Sequence, residues 1–163
     1  AENISSLLHK LRENGCKIRI NGDKISLESH RRLTSVKSIE TQPYPGFPTD
    51  LQAQFTALCC ICRGHSIITE NLFETRFKYA PELRKMGADI TVINRNAFIR
   101  GVEKFKGATV VAHDLRGGAA LVLAALAAEG RSEILDISHI DRGYGAFEYK
   151  LRSLGADIVR VSV

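Results

Sequence analysis

Four polar side chains recur at a spacing that could serve an anionic substrate. Asp50 and Arg116 are 66 residues apart, and so are Arg76 and Arg142. A guanidinium is a planar fork of donors that matches phosphate and carboxylate oxygens in pairs. Asp50 arrives on Pro43-Tyr44-Pro45-Gly46-Phe47-Pro48-Thr49-Asp50, where three prolines fix φ and restrict the residues before them. The loop runs straight into an amphipathic stretch, so the carboxylate is expected where a helix begins, a place that also favours a bound anion. Thr49-x-x-Gln52 reads as a capping box, with Thr49 filling the cap and leaving Asp50 free. Simpler readings stand beside this one. Asp114 and Asp141 also read as caps of the helices that follow them, and Arg76 as a surface partner of Glu70 or Glu74.

The elements that must position these residues repeat. Leu11-Arg12-Glu13-Asn14-Gly15-Cys16-Lys17-Ile18 matches Leu83-Arg84-Lys85-Met86-Gly87-Ala88-Asp89-Ile90, and both match Leu151-Arg152-Ser153-Leu154-Gly155-Ala156-Asp157-Ile158, at separations of 72 and 68 residues. Each copy reads as a helix end, a glycine C-cap and a strand. Between the copies the pattern predicts strands over 36–41, 65–69, 89–93 and 97–101, with helices over 49–62 and 80–86. That order is βαβαββ. It restarts with a strand over 109–112, a helix over 115–129, a strand over 133–137, a helix over 144–154 and a strand over 157–161. The expected organisation is one incomplete α/β (α+β) domain over 1–163. Residues 1–30 form the tail of one unit, 36–101 a full unit, and 109–163 a nearly full one. Aligned units gather Asp50, the arginines and helix N-termini at one end of the sheets, which suits a substrate bearing phosphate and carboxylate groups.

Composition narrows the class. The 163 residues are 44% hydrophobic and 25% charged, as in an ordinary globular domain. The longest apolar run, 119–128, falls far short of the roughly 18 residues of a membrane span and reads as a buried helix. The polar N-terminus carries no signal-peptide pattern, and a start at Ala1 without Met points to sequence upstream. The net charge of +5 is concentrated in residues 1–37, where Lys24, Arg31 and Arg32 lie without interleaved aromatics, so a solvated face is expected there. Cys59, Cys60 and Cys62 share a predicted helix, and Cys16 lies far off. Their C-C-x-C spacing is not that of a zinc site, so buried, reduced thiols are expected.

Four long segments carry a resemblance. They are P-Y-P-G-F-P-T-D-L-Q-A-Q-F-T-A-L from Pro43, I-T-E-N-L-F-E-T-R-F from Ile68, D-L-R-G-G-A-A-L-V-L-A from Asp114, and H-I-D-R-G-Y from His139. In order and spacing they resemble the enolpyruvyl transferase family, and within it the members acting on UDP-N-acetylglucosamine. The resemblance runs from about residue 3 to the end. It implies repeated βαβαββ units forming part of an inside-out α/β prism. It also implies transfer of enolpyruvyl from phosphoenolpyruvate to the 3'-hydroxyl of UDP-N-acetylglucosamine, at the first committed step of peptidoglycan synthesis in the bacterial cytoplasm.

By the same resemblance Asp50 is the base near the sugar hydroxyl, Arg116 and Arg142 form the phosphoenolpyruvate clamp, and Leu72, Phe73 and Glu74 border the nucleotide sugar. No cofactor, metal, nucleic acid or membrane is implied. The family's cysteine acid loop and Lys-Asn pair match nothing here, so a further N-terminal part is the implied partner and the chain alone is expected to be inactive. Gly145 stands where the family often has an acidic residue. Three alternatives stay open: the sister enzyme acting on shikimate 3-phosphate, a non-catalytic binding domain of the same fold, and a nucleic-acid binder, since RNA 3'-phosphate cyclases share such units. The lack of an aromatic or basic stripe argues against the last.

Overall fold

The computed structural model describes residues 2–29 and 32–161. Arg31 of the basic segment and the chain's extreme ends lie outside the described residues. The chain opens with helix α1 (Ser5–Glu13) and the antiparallel hairpin β1 (Lys17–Asn21) and β2 (Lys24–Glu28), which turns at Gly22 with φ 59°.

The full unit follows as β3 (Ser38–Glu40), α2 (Gln52–Ile61), β4 (His65–Thr69), α3 (Ala80–Lys85), β5 (Asp89–Ile93) and β6 (Asn96–Arg100). These strands make one sheet in the order β3-β4-β6-β5. The β3–β4 pair is parallel, and the other two pairs are antiparallel. Register places Ile39, Ile68, Ala97 and Val92 in one row, and the first three are buried. Strand alternation puts Ile67 and Phe98 on the opposite, exposed face. The inner face packs with α2 and the next long helix, α4 (Leu115–Leu126), around Phe55, Tyr79, Leu83, Met86, Phe105 and Leu121.

The third segment is built from short pairs. β7 (Phe105–Lys106) lies parallel to β9 (Ala128–Glu129), and β8 (Thr109–Val111) parallel to β10 (Glu133–Leu135). Helices α5 (Ser138–Asp141) and α6 (Phe147–Ser153) follow. The three repeated motifs close their helices identically. Gly15, Gly87 and Gly155 have φ of 98°, 89° and 94°. The amide after each glycine reaches back to Leu11, Leu83 or Leu151 at 3.0, 3.0 and 3.1 Å, the Schellman geometry that a glycine at positive φ permits.

Several expected boundaries shift. Residues 49–51 form a 3-10 turn, α2 begins only at Gln52, and Cys62 lies just beyond its end. The capping box does not form. Thr49 donates its hydroxyl to Glu70 at 2.8 Å, and Gln52 is buried, accepting from Tyr79 Oη at 2.9 Å. The helix expected over 115–129 stops at Leu126, because 128–129 is taken into a ladder with β7. β10 ends where Asp136 turns at φ 55°, and α6 starts after Ala146 at φ 53°. Residues 157–161 carry no strand. β5 takes its ladder from β6, whereas residues 157–161 pair with no strand among the described residues. All four cysteines are buried free thiols, and burial pushes the Cys59 and Cys62 thiols up to about 11 and about 12.

Candidate functional site

The starts of α2 and α4 come together. Asp50 sits in the 3-10 turn before α2, fixed by the proline loop, whose Gln42 amide bonds Phe47 O at 3.0 Å. Arg116 is the second residue of α4. Asp114 caps that helix, accepting from the Gly117 amide at 2.7 Å, which supports the simpler reading of Asp114. Gly117 and Gly118 let α4 start this close to its neighbours: a Cβ at Gly117 would lie 3.1 Å from Tyr79 Cβ, and one at Gly118 3.0 Å from Ala112 Cβ.

The carboxylate of Asp50 bridges two guanidiniums. Oδ2 accepts from Arg116 at 2.7 Å and Oδ1 from Arg76 at 2.8 Å. Asp50 is therefore not free, and Arg76 does not pair with Glu70 or Glu74 as its position in the sequence suggested. Helix α2 starts after Asp50, so the carboxylate is drawn to the cations of two neighbouring segments rather than to a helix end. The hydrogen bond from Arg116, then that from Arg76, hold the Asp50 carboxyl below the usual carboxylate range. Arg116 is pushed up in return by Asp50 and Tyr144. The Asp50 side chain keeps 54% of its exposure, against 20% for Arg76 and 27% for Arg116, so the cluster lies open at its anionic tip.

Two aromatic residues complete this cluster: Tyr144, given no role in the sequence, and Phe73, expected beside the acceptor. Tyr144 Oη accepts from Arg116 at 2.9 Å and from Gln54 Nε2 at 3.2 Å, and Arg116 lies 5.4 Å from the tyrosine ring centroid. Tyr144 closes the H-I-D-R-G-Y segment, which was its only signal in the sequence. Phe73 lies under Arg76, whose guanidinium is 4.7 Å from the ring centroid. Leu72 and Phe73 remain exposed beside the cluster, while Glu74 points to Arg95 at 3.4 Å and is almost fully exposed. Arg142 follows α5 and donates to His139 Nδ1 at 3.2 Å, with no recorded bond to Asp50, Arg76 or Arg116. Asp141 caps no helix. Both its oxygens accept from Arg160, at 2.7 and 2.9 Å.

The arrangement can exchange anions. Arg76 and Arg116 donate to a half-exposed carboxylate, and an arriving phosphate or carboxylate would compete for the same donors. Asp50 would then regain basicity as it lost them. Among the described residues no group of three or more His, Cys, Asp or Glu could hold a metal, and no helix is long and apolar enough to cross a membrane.

Comparison with known proteins gives this geometry a setting. The family model of EPSP synthase (3-phosphoshikimate 1-carboxyvinyltransferase) matches residues 2–151. UDP-N-acetylglucosamine 1-carboxyvinyltransferase 2 of Caldanaerobacter subterraneus is 51% identical over 160 residues, covering 98% of this chain and 38% of that protein. UDP-N-acetylglucosamine 1-carboxyvinyltransferase of Geobacter metallireducens is 49% identical over 160 residues, with the same coverage. The chain thus spans 38% of the length of these relatives. Among solved structures, the enolpyruvyl transferase NikO from Streptomyces tendae aligns with a TM-score of 0.85 at 28% identity, over 94% of this chain and 36% of that one. EPSP synthase from Acinetobacter baumannii aligns at 0.73 and 18% identity, over 98% of this chain and 40% of that one, a likeness of fold alone.

Proposed function

The chain belongs to the EPSP synthase family, and from that premise we propose that it supplies part of a transferase moving enolpyruvyl from phosphoenolpyruvate to the 3'-hydroxyl of UDP-N-acetylglucosamine. The observation that carries the reading is Asp50 held between Arg76 and Arg116 beside the exposed Leu72 and Phe73. The names of relatives at about half identity favour this acceptor over shikimate 3-phosphate.

In this reading Asp50 takes the proton of the acceptor hydroxyl as its oxygen bonds to C2 of phosphoenolpyruvate. Arg116 and Arg142 hold the phosphate and carboxylate, and an acid elsewhere in the enzyme protonates the methylene carbon. Loss of phosphate and of that proton restores the double bond. Leu72, Phe73 and Glu74 line the acceptor side. The Asp50–Arg116 pair makes the steps depend on each other. While both guanidiniums hold Asp50 it is a weak base, and the substrate anion that takes Arg116 releases it.

The product commits its nucleotide sugar to peptidoglycan in the bacterial cytoplasm. The 163 residues make up one incomplete domain, and the remaining length of the relatives supplies the facing wall that excludes water. Phosphate release by the full-length protein tests the reading, with phosphoenolpyruvate and either acceptor. Release with UDP-N-acetylglucosamine is expected. Release only with shikimate 3-phosphate would move the chain to the sister activity, and release with neither would leave a binding domain.

A further inference from the structure

Glu70 is the most deeply buried acid of the chain, with no exposed surface. Its Oε1 accepts from the Thr41 hydroxyl at 2.8 Å and from the amides of Leu72 and Phe73 at 2.9 and 3.2 Å. Its Oε2 accepts from the Thr49 hydroxyl at 2.8 Å. Thr41 Oγ1 in turn accepts from the Asn71 amide at 2.9 Å. One carboxylate thus joins three segments: the end of β3, the end of the proline loop, and the turn after β4. All four donors are neutral. An acid buried without a cation needs hydrogen-bond donors on its oxygens, and here both oxygens are engaged.

The joined segments are the ones that carry the candidate site. Thr49 precedes Asp50, and Phe73 supports Arg76, which holds the second oxygen of Asp50. Glu70 therefore reaches Asp50 along two paths, while its own carboxylate stays enclosed. It has no recorded bond to Arg116 or Arg142. We propose that Glu70 is a positioning residue that fixes Asp50 and the Leu72–Phe73 turn against the acceptor. This rests on the enolpyruvyl transfer reading.

The chemistry of the four bonds separates geometry from charge. Glu70→Gln keeps Oε1 as the acceptor for Thr41, Leu72 and Phe73, and its amide can donate to Thr49 Oγ1, since a hydroxyl both donates and accepts. Glu70→Ala loses all four bonds and releases both loops. Thr49→Val loses only the bond next to Asp50.

The experiment is steady-state kinetics of these variants in the full-length protein, with amide hydrogen exchange at Leu72 and Phe73. Glu70→Ala should raise KM for UDP-N-acetylglucosamine by about tenfold or more. Its kcat/KM for that acceptor should fall by about a hundredfold through misplacement of Asp50. KM for phosphoenolpyruvate should stay near wild type. Glu70→Gln should restore both acceptor constants, and Thr49→Val should shift them in the direction of Glu70→Ala by less. A merely structural role would lower active protein while leaving both KM values alone.

Leu72 and Phe73 exchange should speed up in Glu70→Ala and be restored in Glu70→Gln. If Glu70→Ala does not fold, Thr49→Val carries the test. An unchanged acceptor KM in Thr49→Val, equal shifts for both substrates, or a Glu70→Gln variant as impaired as Glu70→Ala would each overturn the proposal. A wild-type protein that turns over neither acceptor would overturn the transfer reading instead, and the exchange rates would still decide what Glu70 holds.

Discussion

Asp50, in the turn before α2, and Arg116, in the first turn of α4, lie 66 residues apart in sequence and face each other at 2.7 Å. Opposite charges thus meet where the starts of α2 and α4 come together, so the candidate site draws on both segments. A second cation, Arg76, holds the other carboxylate oxygen, and Tyr144 holds Arg116. Each of these contacts fixes a direction for an experiment on the full-length protein.

Arg116→Lys and Arg142→Lys keep the charge and lose the planar fork. A lysine at 116 cannot reproduce the paired bonds to Asp50 and Tyr144 from one planar group. Both variants should raise KM for phosphoenolpyruvate by about tenfold or more, and raise KM for the acceptor far less. Initial rates with each substrate varied in turn check this. Equal shifts in the two constants would contradict the proposed clamp.

The depressed Asp50 carboxyl has a signed consequence for stability. Its folded value lies below its unfolded one, so its contribution is present above the ordinary carboxylate range near about 4 and is lost as pH falls through the lower folded value. The melting temperature of the wild type should exceed that of Asp50→Asn at pH 6, and the gap should close in acid. A gap independent of pH would mean that the arginines do not act on the ionised carboxylate. In the proposed mechanism the sign reverses on binding. Loss of Arg116 to the substrate should move the acid limb of kcat above that of kcat/KM, which reports the free enzyme.

Gly101 tests how the sheet sits on α2. A Cβ there would lie 1.6 Å from Cys62 O, which is backbone and cannot turn aside. Gly101 N also bonds Gly64 O at 2.9 Å, which holds the strand end in place. Gly101→Ala should therefore cost about 3 kcal/mol or more in urea unfolding. A loss under 1 kcal/mol, on the order of an ordinary surface change, would show that the β6 end moves away easily.

The local signals were readable and the distant partners were not. Glycine after a leucine-bearing helix end marked three Schellman caps, and alternation marked β4, β5 and β6, because a cap is closed within one turn and a strand's two-residue period is written in its own residues. The 66-residue offset placed Asp50 with Arg116, since a repeat carries geometry with it. Thr49 was misread because a capping box and a bond to a buried acid 21 residues away use the same hydroxyl. Arg76 was misread because the nearer acids, Glu70 and Glu74, are engaged by neutral donors and by Arg95. The strand expected over 157–161 shows the same limit: its residues favour extension, but a strand needs a partner.

Asp50→Asn tests the account most directly. The substitution keeps the shape of the side chain and one oxygen for the arginines, and removes the proposed base. Phosphate release from phosphoenolpyruvate with UDP-N-acetylglucosamine should slow by about 10² to 10⁴, the usual worth of general-base catalysis, while acceptor affinity measured by calorimetry stays close to wild type. Near-normal phosphate release by Asp50→Asn would contradict the account, leaving Asp50 as a tether for Arg76 and Arg116 and the proton without its proposed acceptor.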